Sequence, residues 1–468
     1  MKYNNPVISG FNPDPSICRV GEDFYLVTSS FEFFPGVPIY HSKNLVNWEL
    51  ISYCLTDDIQ LPLSKAKASY GIYAPTVRYY DGTFFMTVTN VSFGGNFIVH
   101  TKDVRGKWSE PAYVEQKGID PSLFWDDDGT CYFVSNSAAD YTPGIHVCEI
   151  DPFTGKMLSP SRCISMGCGG SSPEAPHIYK TNGYYYLALA EGGTEYGHME
   201  TVQRAKSIYG PYEKCPRNPI LTHRSTSSPI QVVGHADFVD DQNGNWWLVC
   251  LGVRPLPRTF IHNLGRETFL APLKWDEDGW PIAGNNGRIE LIMDALLPGP
   301  APTPVNNSFS DCFLEEKIDL NWNFIRNPRR ERYTLSKGRI ILSGCEEGLS
   351  TPLANPTAMI LRQPAFCTET VAYFEGDVAQ GQCSGLTAYY NHDYHYDVVI
   401  TKEEDCHYVC LRKKVADIDI IAARHKVDYN GSIRFKLESN TEWYVFSYEI
   451  DGEFIKSAEE ARRFFALR

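Results

Sequence analysis

The stretch Asp120-Pro121-Ser122-Leu123, followed by Gly129 and then Cys131-Tyr132-Phe133-Val134, decides the fold because it does not stand alone. Asp14-Pro15-Ser16-Ile17 leads through Gly21 to Phe24-Tyr25-Leu26-Val27. Ala74-Pro75-Thr76-Val77 leads through Gly82 to Phe84-Phe85-Met86. Ala175-Pro176-His177-Ile178 leads through Gly183 to Tyr184-Tyr185-Tyr186-Leu187. Ala236-Asp237-Phe238-Val239 leads through Gly244 to Trp246-Trp247-Leu248-Val249. Each unit reads as strand, tight turn and strand, since Asp-Gly and Asn-Gly tolerate the positive φ that hairpin turns demand. The anchors recur 60, 46, 55 and 61 residues apart. Further apolar stretches complete several units: Ile39–Ser42 with Asn47–Leu50, Ile98–Thr101 with Lys107-Trp108, and Gln203–Lys206 with Gly210-Pro211-Tyr212. Five units of about four strands predict a five-bladed β-propeller.

Working outward, Pro298–Pro304 is a stiff, proline-rich boundary where the repeat stops. The expected division is a propeller over 1–297, a linker over 298–307 and a β-sandwich over 308–468. Arg339–Leu342, Tyr394–Ile400 and Trp443–Ile450 read as sandwich strands. After Asp451-Gly452 the tail from about Ile455 has a helical composition, out of keeping with those strands. The fold class is therefore all-β, with a C-terminal sandwich expected to be truncated at its end.

Composition excludes several functions. The 468 residues carry a formal charge of −14, which argues against nucleic acid and anionic membranes as partners. No run of about 18 apolar residues exists to span a bilayer. The N-terminal MKYNNPVISG lacks an apolar leader, so a cytoplasmic location is expected. The 14 cysteines form no Cys-x-x-Cys pair and are expected to act as small buried hydrophobes in a reducing compartment. Aromatic residues reach 13%, which suits strands and sugar-binding faces.

In a propeller the first strand of each blade lines the channel, so groups at its start converge. Asp14 and Asp120 precede the recurring Pro in blades one and three, whereas Ala74 and Ala175 hold that position in blades two and four. The fold thus does not demand a carboxylate there, which favours function over simple Asp-Pro turn chemistry. Glu174 and His235 each sit one residue earlier than the aspartates in this alignment, so strand parity sends them elsewhere unless the backbone bends. Glu174 has few charged sequence neighbours, a setting that raises a carboxyl pKa as a general acid requires. Convergent carboxylates beside aromatic residues, with no nucleophile–base triad or metal cluster legible in the sequence, point to glycoside hydrolysis. Carboxylates drawn from well-separated blades favour inversion of configuration.

Several motifs carry a family resemblance. They are Phe11-Asn-Pro-Asp14-Pro-Ser, Phe31–Pro38, Gly118-Ile-Asp120-Pro-Ser, Pro173-Glu174-Ala-Pro-His177, Glu191-Gly-Gly-Thr194 and Leu264-Gly-Arg266-Glu-Thr. Together they resemble glycoside hydrolase family 43, in its β-xylosidase and α-L-arabinofuranosidase branch, over nearly the whole chain. The resemblance implies Asp14 as general base, Glu174 as general acid and Asp120 as the residue that orients the acid and tunes its pKa. It implies Arg266, Phe31, Tyr73, Ala74 and His235 as substrate-binding residues, with Tyr73 standing where many members have Trp. The expected activity is inverting, exo-acting removal of terminal β-D-xylose, α-L-arabinofuranose or both from xylo-oligosaccharides or arabinoxylo-oligosaccharides. No cofactor is required on this reading, although Ca²⁺ in the channel, approached through water by His235, is a candidate. A homo-oligomer is also a candidate. The alternative is a non-catalytic or C-terminally impaired sugar-binding propeller. The C-terminal region resembles the jelly-roll, concanavalin-like domain that accompanies this branch.

Overall fold

The computed structural model describes residues 1–137, 143–450 and 452–461. The five predicted hairpins form. Blade one is Ser16–Val20, Asp23–Val27, Gly36–Ser42 and Glu49–Leu55, and blade two is Thr76–Tyr80, Thr83–Asn90, Gly95–Thr101 and Ala112–Tyr113. Blade three is Ile119–Trp125, Cys131–Ser137, Gly144–Glu149 and Arg162–Ser165. Blade four is Glu174–Thr181, Tyr184–Glu191, Met199–Ala205 and Glu213–Lys214, and blade five is Gln231–Asp240, Trp246–Val253, Glu267–Trp275 and Pro281–Ala283. All five central turn glycines have positive φ, between 62° and 85°. At Gly21, Gly82 and Gly244 a Cβ would meet nothing within 4 Å, so dihedral freedom rather than space selects glycine.

Inner strands of consecutive blades touch, and the fifth touches the first, which closes the ring. Every blade is built from one continuous stretch of chain. Closure falls to a short antiparallel ribbon of Lys2–Asn4 against Ile292–Asp294. The Asn5 side chain adds a hydrogen bond to the Leu270 carbonyl and accepts one from its N–H. Two expected outer strands are corrected. Lys107-Trp108 and Gly210–Tyr212 lie in loops, and the outer strands follow at Ala112–Tyr113 and Glu213–Lys214. Trp108 is buried in the apolar core, and Pro211 has no N–H to give a ladder.

The chain divides into two compact units that interleave along the sequence. The first comprises Met1–Arg254, Gly265–Gly344 and Thr357–Arg362. The second comprises Pro255–Leu264, Cys345–Pro356 and Gln363–Arg468. Residues past the proline-rich segment stay with the propeller because Phe324–Ile325 pairs with Phe33–Phe34. Tyr53 Oη also donates to the Leu320 carbonyl, and Arg326 Nε donates to that of Ala66. Arg339–Leu342 is a strand as expected, but it pairs with Tyr333–Ser336 inside the first unit.

The second unit contains two four-stranded antiparallel sheets. One runs in the order Thr368–Glu375, Ser432–Ser439, Trp443–Ile450, Glu453–Ala461. The other runs Cys383–Asn391, Tyr394–Glu403, Cys406–Val415, Ile418–Val427. Alternate residues such as Tyr396, Val398 and Ile400, and Ile433, Phe435 and Leu437, supply a shared core. The helical reading of the tail is overturned through Ala461. Glu453–Ala461 pairs along Trp443–Ile450, and ladder formation overrides local propensity. Residues 462–468 lie outside the described residues. None of the 14 cysteines is in a disulfide, and 7 of them are buried.

Candidate active site

A backbone irregularity at the start of the inner strands assembles the site. Asp14, Asp120, Ala175 and His235 have φ of 55°, 52°, 51° and 53°. Three of them precede a proline, where steric clash already restricts the backbone. Such left-handed residues persist where surrounding structure enforces them, and they cluster at functional sites. The ladder shifts register here, between Ile119 and Ser122, between Glu174 and His177, and twice between Gln231 and Asp237. These bulges break strand parity, so Glu174 joins the aspartates despite its offset. In blade five Val232 and His235 both have positive φ, and His235 stands two residues before Asp237 as Asp14 stands before Ser16, which corrects the alignment. His235 is the counterpart of Asp14 and Asp120 rather than of Glu174.

Asp14 is buried and held from two sides. Arg266 Nη1 donates to Asp14 Oδ1 at 2.6 Å, and Ser29 Oγ donates to Oδ2 at 2.5 Å. A buried carboxylate with a guanidinium partner has its desolvation partly offset. His235 Nδ1 stands 3.9 Å from Asp14 Oδ1. Burial pushes the His235 imidazole below its ordinary pKa, which favours the neutral ring. Glu174 is raised to about 7, first by burial and then by the Asp14 charge, with Arg266 opposing. Asp120 is held well above the usual carboxylate range by burial and by the charges of Glu174 and Asp14. Glu174 and Asp120 thus share one electrostatic environment, in which burial and the neighbouring carboxylate charge retain protons.

Aromatic residues stand against this cluster. The Phe31 ring lies 5.6 Å from Tyr73 and 5.9 Å from Phe11, with the Arg266 guanidinium 5.4 Å from its centroid. The Tyr73 hydroxyl feels Asp120, Arg266 and Asp14. Phe31 bridges Ile72 by backbone hydrogen bonds, which brings Tyr73 and buried Ala74 to the same end. Every residue expected at the site from the sequence therefore falls in one neighbourhood.

Sequence reasoning missed the hub at the channel centre. Asp237, fully buried, accepts hydrogen bonds from Ser16 Oγ at 2.6 Å, Arg78 Nη1 at 2.7 Å and Tyr179 Oη at 2.6 Å. Arg78 Nη2 also donates to His177 Nδ1 at 2.9 Å. Burial would raise Asp237, but Arg78 and its other donors hold it far below the usual range. The signal was present in the sequence. Ser16, Ser122, His177 and Asp237 each follow a left-handed residue by two, so the repeat marked that position. Ser29 carried no such mark. Among the described residues, no group of three or more His, Cys, Asp or Glu is arranged to hold a metal ion. The central anion, Asp237, is already matched by a guanidinium. A directly liganded Ca²⁺ therefore does not fit the residues beside His235.

The comparisons with known proteins agree with this architecture. Residues 3–281 match the family model described as glycosyl hydrolases family 43, and residues 310–464 match a β-xylosidase C-terminal concanavalin A-like domain. A non-reducing end α-L-arabinofuranosidase of Bacteroides ovatus is 40% identical over 95% of this chain and 84% of its own length. A xylosidase/arabinosidase of Butyrivibrio fibrisolvens is 42% identical over 86% of this chain and 80% of its own. The crystal structure of a xylan β-1,4-xylosidase from Bacillus halodurans superposes with a TM-score of 0.92 at 31% identity, covering 99% of this chain and 93% of that one. A five-bladed sheet ring, a carboxyl cluster fed by several blades and these matches lead to one conclusion: the chain belongs to glycosyl hydrolases family 43.

Proposed function

We propose that this chain is an inverting, exo-acting glycosidase that releases terminal β-D-xylose, α-L-arabinofuranose or both from xylan-derived oligosaccharides. The observation that carries the reading is the juxtaposition of Asp14, bonded to Arg266 and Ser29, with Glu174, raised to about 7. Asp14 takes a proton from water as that water attacks the anomeric carbon. Glu174 gives its proton to the departing glycosidic oxygen. Each transfer is worth roughly 10²–10⁴-fold in rate. Asp120 orients the acid and stands in its field, since the Glu174 charge helps to raise the Asp120 carboxyl. Phe31 and Tyr73 wall the sugar site, and Arg266, His235 and the small Ala74 shape its floor. The two sugars present similar hydroxyl patterns to a small pocket, which supports both activities at one site.

The test is hydrolysis of nitrophenyl β-xyloside and nitrophenyl α-arabinofuranoside, with the first-formed anomer followed by NMR. Asp14→Ala and Glu174→Ala should each abolish release, and the initial product should have inverted configuration. Near-normal rates in Asp14→Ala, or a retained anomer, would overturn the assignment.

A further inference from the structure

The second unit holds chemistry-bearing side chains that the propeller site does not use. His395 and Asp397 lie two residues apart on Tyr394–Glu403 and so share the sheet face opposite Tyr396 and Val398, which enter the core. His395 is fully buried, and Asp397 nearly so. His395 Nδ1 lies 2.8 Å from Asp397 Oδ2 and 2.9 Å from Oδ1. Thr387 Oγ1 donates to the same carboxylate at 2.6 Å, fixing its orientation. Across the ring, His395 Nε2 lies 2.9 Å from Ser350 Oγ.

The direction of these bonds follows from chemistry. An ionised carboxylate only accepts, so Nδ1 carries the ring proton. Nε2 then offers its lone pair, and the Ser350 hydroxyl donates to it. Hydroxyl, imidazole and carboxylate in that order, with a further group bracing the carboxylate, is the arrangement that activates a serine nucleophile. Of the three, Ser350 is the most accessible, being half-buried where the histidine is enclosed. A contact that only anchored the segment around Ser350 would need one hydrogen bond, not an imidazole aligned by a braced carboxylate. Positive charge also stands nearby. Lys414 is directly cross-strand from His395 and Arg412 from Asp397, on the same face. Arg412 is engaged by Asp419 at 2.6 and 2.7 Å, and Lys414 is itself cross-strand from Asp419, whose carboxyl its charge helps to hold low.

We propose that Ser350, His395 and Asp397 form a second hydrolytic site, which cleaves carboxylic esters independently of the carboxyl cluster in the propeller. Ser350 Oγ attacks the acyl carbon while its proton passes to His395 Nε2. The tetrahedral intermediate expels the alcohol, which takes that proton. Water then attacks the acyl-serine, giving a proton to His395 Nε2. Collapse releases the carboxylic acid, and the proton returns to Ser350 Oγ.

The test uses the full chain with a fluorophosphonate probe and with nitrophenyl acetate. The expected results are probe attached to the Ser350 peptide by mass spectrometry, and acetate release that falls at least ~100-fold in Ser350→Ala. Nitrophenyl glycoside hydrolysis by Ser350→Ala should stay at the wild-type rate, and an unchanged calorimetric transition of the second unit shows that the variant is folded there. Labelling of the wild-type protein does not depend on any variant folding. Absence of probe from Ser350 in the wild-type chain, or ester hydrolysis unchanged in a folded Ser350→Ala, would overturn the proposal.

Discussion

Replacing Glu174 by Gln should stabilise the propeller above neutral pH while removing its glycosidase activity. Burial, helped by the Asp14 charge, raises the Glu174 carboxyl from its ordinary 4.5 to about 7. In the unfolded chain the same group titrates near its ordinary value. A carboxyl raised on folding binds its proton more tightly in the folded state. Its favourable contribution is therefore fully present below the unfolded value and is lost as pH rises through about 7. A gap of about 2.5 pH units corresponds to about 3 kcal/mol of folding stability forfeited at pH 8. Glutamine keeps the shape and never ionises, so the variant escapes that loss. It also removes one of the charges that raise Asp120, an effect of the same sign. For a unit of this size the gain corresponds to roughly 5 °C in the propeller transition. Calorimetry at pH 5 and pH 8, run beside nitrophenyl glycoside assays, measures both consequences. The two proteins should melt together at pH 5 and separate at pH 8. A difference that ignores pH, or a variant less stable at pH 8, would refute the reasoning, because surroundings that do not favour the protonated carboxyl cannot prepare a general acid.

Other consequences can be measured alongside. Arg266→Met leaves Asp14 buried without its guanidinium and should lower kcat/KM by about 10²–10³-fold, with partial recovery in Arg266→Lys. Arg78→Met strands Asp237 at the centre of the ring and should cost about 3–5 kcal/mol of stability, read as a lowered propeller transition. Adding Asp237→Asn to that variant should restore part of the loss, since the uncompensated charge is then gone. Tyr73→Ala should raise KM more than it lowers kcat, because the ring bounds the sugar site without exchanging protons.

The repeat made the propeller legible, because Asp-Gly and Asn-Gly turns and apolar runs act locally, and five copies in order leave few alternatives. Asp14 and Asp120 were legible for the same reason: sister positions held alanine. The place of Glu174 was not, because strand parity assumes an unbroken ladder and the bulge beside it depends on partners far along the chain. His235 was displaced in the alignment by the same effect, doubled in blade five. The Asp237–Arg78 hub depends on three-dimensional closure, which brings together side chains 159 residues apart. The attachment of Phe324–Ile325 to the first unit was not legible, because its partner Phe33–Phe34 lies near the start of the chain. The tail read as helical from composition, yet Glu453–Ala461 has an open strand edge beside it to complete.

The one-stretch-per-blade construction bears on the order of assembly during synthesis. Each sheet can form as soon as its own residues leave the ribosome, with no need to wait for a distant strand. The glycosidase centre has no such independence. Asp14 emerges among the first residues, and Arg266 follows 252 positions later on the final blade. A nascent chain stalled after blade four would hold four finished sheets and an Asp14 without its guanidinium. Appearance of glycosidase activity therefore times the moment the ring closes, and a chromogenic substrate becomes a clock for the last step of propeller folding.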